Sequence, residues 1–154
     1  MSPKIVRLSS ISLAIAMAVF LAGPPSCRAQ PRRIIKLSGT SGLPFSDGVA
    51  VGNTLFVAGQ EGTDDSGKLK QGGIGPEAQA ALENIEKVLK AAGFQLRDVV
   101  SVTVYLADIH EFADMNKVYR NFMPDPKPAR ATVQVGGLVN NARIEISAIA
   151  VKQE

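Results

Sequence analysis

In Arg143-Ile-Glu-Ile-Ser-Ala-Ile-Ala-Val151 every second residue from Ile144 is apolar. A helix would scatter Ile144, Ile146, Ala148 and Ala150 around its circumference, whereas a strand lines them up on one face. The run therefore commits the chain to a strand with one buried side, and alternation turns Glu145 to the other side. A second β-branched run, Pro128-Ala-Arg-Ala-Thr-Val-Gln-Val135, precedes it across a glycine break. Arg130 enters that strand behind the stiff segment Met123-Pro-Asp-Pro-Lys-Pro128, whose prolines should hold it in place. A hairpin centred near Leu138 and Val139 would set Arg130 nearly opposite Glu145. An arginine fork suits a carboxylate ligand through two parallel hydrogen bonds, and a nearby glutamate can move a proton. An ordinary surface ion pair has the same residue types.

The remaining elements follow from periodicity. A short strand spans Arg33 to Leu37, before the loop Ser38–Gly42 and the segment Leu43-Pro-Phe-Ser-Asp-Gly48. Val49-Ala-Val51 and Thr54-Leu-Phe-Val-Ala58, separated by Gly52-Asn53, read as a β-hairpin ended by Gly59-Gln-Glu-Gly62. The spacing of Ala78, Ala81, Leu82, Ile85, Val88, Leu89 and Ala92 predicts an amphipathic helix from about Gly75, closed by Gly93. Val99 to Leu106 is a strand, with Val100, Val102, Val104 and Leu106 on one face. A second helix opens at Asp108, with Glu111 completing a capping box, and buries Phe112, Met115, Tyr119 and Phe122. The order β-β-β-α-β-α-β-β is an α+β fold, a mixed sheet with two helices on one face. The other face would expose Tyr105, Val133, Ile149 and Val151, which favours oligomerisation.

Residues 1–29 read as an export signal: Lys4 and Arg7, an apolar run from Leu8 to Ala22, then Cys27-Arg-Ala29 before a cut after Ala29. The expectation is a secreted or periplasmic protein with one domain over 30–154 and no membrane anchor after cleavage. Removing Lys4, Arg7 and Arg28 leaves 14 of the 17 basic residues against 14 acidic ones, so the mature chain is neutral. A neutral chain without a concentrated basic patch argues against nucleic acid as a partner, and Arg32, Arg33 and Lys36 read as a solvated arm. The one cysteine leaves with the signal, and the one histidine, His110, has no second ligand beside it, so no metal site is expected. Asp64-Asp-Ser-Gly67 lacks the alternating carboxylates of a calcium loop. No serine sits in a nucleophile elbow.

The ordered set Phe45-Ser-Asp-Gly48, Phe56-Val-Ala-Gly-Gln60, Ala80-Ala-Leu-Glu-Asn84, Asp98 to Leu106, Phe112 to Tyr119, PARATVQV and RIEISAIAV resembles the Rid (reactive intermediate deaminase) or YjgF family. The resemblance implies a chorismate-mutase-like fold, a homotrimer with pockets between subunits, and cofactor-free hydrolysis of 2-imino acids such as 2-iminopropanoate to 2-keto acids and ammonia. It assigns Arg130 to the substrate carboxylate and Glu145 to the attacking water, with Phe45, Gly59, Asn116 and Thr132 lining the pocket. Phe45 stands for the family's tyrosine, Thr132 for a cysteine found in many members, Ala58 for a serine, Asp47 for a glutamine and Ser147 for a second glutamate. Each changes a polar group near the expected pocket. Three alternatives stay open: a trimer that binds a small carboxylate without turnover, a ribonuclease or translation inhibitor, and a structural trimer clamped by the charge pair.

Overall fold

A computed structural model of the protein describes residues 29–37, 42 and 44–153. The chain divides into Met1–Gln30 and Pro31–Glu154, and the sheet and helices formed by the described residues belong to the second unit. The export signal read over 1–29 lies outside the described residues save for Ala29, as do residues 38–41 and 43 of the polar loop.

Among the described residues, six strands and two α-helices appear in the expected order: β1 (Arg32–Ile35), β2 (Gly48–Val51), β3 (Thr54–Glu61), α1 (Ile74–Ala91), β4 (Val99–Leu106), α2 (Phe112–Phe122), β5 (Ala129–Gln134) and β6 (Ile144–Val151). They form one mixed sheet in the order β1-β2-β3-β6-β4-β5. The β2–β3 hairpin closes through Gly52-Asn53, with Gly52 at a positive φ that matches the twist of the flanking strands. All seven apolar positions anticipated for α1 are buried against the sheet. The helix ends as a Schellman motif, Gly93 at φ 78° and the Phe94 N–H donating to Leu89 O. Leu55, Val104, Leu106, Ile144 and Ile146 supply the sheet's share of the core.

Four local expectations need correction. The second hairpin strand does not end at Ala58 before Gly59-Gln-Glu-Gly62; β3 runs on to Glu61 through a bulge between Val57 and Gln60, which keeps its last residues paired with β6. Val100 is exposed, because a second irregularity between Val99 and Ser101 turns it away from Val102. Glu111 forms no capping box. Asp108 caps a 3-10 turn at Ile109–Glu111 through the His110 N–H, while Glu111 pairs with Arg143 at 2.5 Å. Arg33 belongs to no solvated arm, since its Nη2 donates to Ala92 O at the end of α1.

The largest correction concerns the C-terminal strands, which are not a hairpin. β5 lies parallel to β4 at the sheet edge, joined to it through α2, whereas β6 is antiparallel to both β3 and β4 in the sheet interior. A parallel pair needs a crossover, and α2 provides it. The exposure of the two strands agrees with these places: β6 alternates buried and half-buried residues, while β5 has no fully buried residue.

Candidate active site

Arg130 occupies the second position of the edge strand, level with Val102 on β4, and both side chains face the helices. Its Nη2 donates to Asn116 Oδ1 at 2.8 Å. Its guanidinium carbon lies 4.3 Å from the centre of the Tyr119 ring and 5.7 Å from that of Phe112. The sequence alone marks those two aromatics as core; only Tyr119 is buried, Phe112 being exposed at the start of α2, and the structure uses both as faces on which the cation stacks. These holders are all neutral, so they fix the fork without neutralising it. Beside it opens a cavity of about 300 Å³ lined by Asn116, Tyr119, Arg120, Lys127, Pro128 and Arg130. The proline-rich approach is tied down by Lys127, whose Nζ donates to Arg120 O and Met123 O at the end of α2.

Two further hydroxyls belong to this region. Thr132, two residues along β5 on the same face as Arg130, has a buried Oγ1 with no hydrogen-bond partner, and so has the buried Tyr119 hydroxyl. Burial raises the Tyr119 phenol above its ordinary value, and the nearby Arg130 charge offsets part of that. The cavity itself is lined by the Arg130 fork, whose charge its neutral holders leave unbalanced, and is suited to an anionic ligand.

Glu145 lies elsewhere. It stands opposite Tyr105 on β4 and Glu61 on β3, on the sheet face away from the helices. A methyl group placed on Gly59 would fall 1.8 Å from Glu145 Oε1, so the carboxylate rests over the glycine backbone, and only glycine leaves that room. Phe45 is half-exposed in the segment leading into β2, and that segment is joined to β3 where the Ala58 N–H donates to Asp47 O. The Asp47 side chain is buried and accepts from the Leu37 N–H, so this departure fixes a loop.

Within one chain, then, Arg130 and Glu145 do not converge. Arg130 is level with Ala148, three residues from Glu145 and two strands away, which separates the Cα atoms by about 14 Å at ordinary sheet spacings. Their side chains also leave opposite faces. The six candidate residues fall into two groups: Arg130, Asn116 and Thr132 at the sheet edge under α2, and Glu145 and Gly59, with the Phe45 segment joined to their strand, on the open face. Sequence reasoning missed Tyr119 and Phe112 as holders of the cation and Glu61 as the neighbour of Glu145. Among the described residues no three His, Cys, Asp or Glu side chains gather as metal ligands.

Residues 38–152 match the family model described as Endoribonuclease L-PSP. The human protein named 2-iminobutanoate/2-iminopropanoate deaminase is 42% identical over 124 residues, 79% of this chain and 90% of that protein. A RutC family protein of Pyrococcus horikoshii is 45% identical over 111 residues, 71% of this chain and 88% of its own. Among solved structures, E. coli TdcF with bound serine superposes with a TM-score of 0.72 at 31% identity, covering 79% of this chain and 99% of that one. With a matching model over almost all of Pro31–Glu154 and relatives above 40% identity, the chain belongs to the Endoribonuclease L-PSP family, that of the Rid and YjgF proteins.

Proposed function

We propose that this protein hydrolyses reactive 2-imino acids to 2-keto acids and ammonia without a cofactor. In this reading it acts as a homotrimer whose sites each take Arg130, Asn116 and Thr132 from one protomer and Glu145, Gly59 and Phe45 from its partner. The observation that carries the reading is the division of the candidate residues between a sheet edge and the opposite sheet face. Neither group contains both a carboxylate anchor and a proton acceptor, and a second copy laid on the open face can supply what the first lacks. The relatives named 2-iminobutanoate/2-iminopropanoate deaminase, 42–46% identical, support the substrate class.

The chemistry asks little of the protein. The iminium carbon is already electrophilic, so the site has to hold the substrate carboxylate, bring water to one face of the carbon and take one proton. Arg130 does the first, pre-set by Asn116 and the two rings. Glu145 does the last. Phe45 and Thr132 shape the pocket and leave room for a short apolar side chain.

Ammonia release from freshly generated 2-iminopropanoate tests the reading. Arg130→Ala should lower kcat/KM by about 10²–10⁴-fold, the worth of two charge-assisted hydrogen bonds, with assembly intact. Wild-type turnover in that variant would overturn the assignment. Glu145→Gln should slow turnover while a 2-keto acid still binds. The family's ribonuclease label finds no support here in a histidine pair, because the chain has one histidine, His110, at the surface. We also place the protein outside the cytoplasm, on the signal read in residues 1–29; a mature N-terminus at Gln30 is the expected sequencing result.

A further inference from the structure

β3 places a second carboxylate beside the first. Glu61 and Glu145 are direct partners across the antiparallel β3–β6 ladder and therefore share the open face. The Glu145 carboxylate leans over β3 at Gly59, two residues before Glu61 on the same strand. Glu61 is held from two sides. Asn140, at φ 57° in the turn before β6, donates to its Oε2 at 3.3 Å, and Asn84 of α1 donates to its backbone oxygen at 3.1 Å. Imine hydrolysis needs two proton movements, one from the attacking water and one onto the departing nitrogen. A single carboxylate at this site would have to make both in turn.

We propose that Glu61 is the second acid–base group of this site, the acid that protonates the leaving nitrogen while Glu145 takes the proton from water. This role rests on the imine-hydrolysis reading above. In the first step the water oxygen bonds to the iminium carbon, the C=N electron pair moves to nitrogen, and Glu145 accepts a water proton, giving a neutral carbinolamine. In the second, protonated Glu61 gives its proton to the amine and the C–N bond breaks with its electron pair on nitrogen. The hydroxyl oxygen then forms the carbonyl and returns its proton to Glu61. The proton on Glu145 passes to the released ammonia, so keto acid and ammonium leave and both groups are reset. Burial raises the Glu61 carboxyl above its ordinary value, and the negative Glu145 on β6 and Glu77 on α1 add to that while the Asn140 amide opposes it. The remaining side chain level with the pair is the Tyr105 phenol on β4.

The test is the pH profile of kcat for imine hydrolysis by the full assembled protein, wild type against Glu61→Gln, with Arg130→Ala as control. Glu61→Gln should lower kcat by about 10²-fold, within the usual range for one general acid, with KM little changed and the alkaline limb of the profile flattened. Added acetic acid–acetate buffer should restore turnover to a Glu61→Ala variant in proportion to the concentration of its acid form, by replacing the missing proton donor, while leaving wild type unaffected; a merely structural glutamate would show no such rescue. If Glu61→Gln fails to assemble, Glu61→Asp replaces it, with a shifted alkaline limb and a partial loss of kcat expected. An unchanged profile and kcat, in a preparation where wild type turns over and Arg130→Ala does not, would overturn the role of Glu61 alone. No turnover by wild type would overturn the hydrolysis reading and this role with it.

Discussion

Gly59 shows how much one missing side chain can decide. The Glu145 carboxylate lies where a Cβ would be, so Gly59→Ala must push it aside. A displacement of that size should lower kcat by about 10²-fold with the fold unchanged by circular dichroism. Glu61 offers a different readout. Its carboxyl is raised on folding, mainly by burial, so between its unfolded and folded values the folded chain binds more protons. Stability therefore falls as pH rises through that window, and the deficit persists at neutral pH. Glu61→Gln should raise Tm at pH 7, and the gain should vanish by about pH 4, near the unfolded value. Arg130 and Glu145 stand out in the sequence as charges on apolar strands. Glu61 does not, because Gly59-Gln-Glu-Gly62 has the composition of a turn, and only the bulge carries the strand through it.

At the scale of elements, the order of strands and helices was readable from periodicity, and the pairing of β5 was not. Nothing in the local pattern of Ala129–Gln134 separates a hairpin arm from an edge strand reached through α2. The clue is comparative: β6 is apolar enough for the sheet interior and β5 is not. The junction of α1 with β6 rests on Glu77, also missed because an acidic residue in a first helical turn already has an explanation in the helix dipole. It is buried, and its Oε1 accepts from the Arg143 N–H at 2.6 Å and from the Ile144 N–H at 3.4 Å. Glu77→Ala would leave those amides without an acceptor and should cost about 1–3 kcal/mol in urea unfolding. It should also disturb Glu145, one residue beyond Ile144.

For the whole molecule the open sheet face is the feature to explain. Ile34, Val49, Phe56 and Ile149 fall in one row across β1, β2, β3 and β6, and Ile34 and Phe56 are each about half exposed. Alternation had identified part of this surface through Tyr105, Val133, Ile149 and Val151; the extension across Ile34 and Phe56 needed the strand order. In the proposed trimer this face meets its partner, so Phe56→Asp should yield monomers by light scattering and abolish turnover with Arg130 and Glu145 both in place. Mixing also separates the models. Arg130→Ala and Glu145→Gln subunits, each impaired alone, should regain activity when co-refolded, since every mixed ring then holds one site with an intact pair. No recovery in proven mixed rings would overturn the shared site.

In the proposed trimer, the split of the reactive groups between an edge and a face would make activity depend on encounter as well as on folding. At dilutions where protomers part, specific activity should fall with concentration while each chain keeps its structure, so the protein would be switched off simply by being scarce.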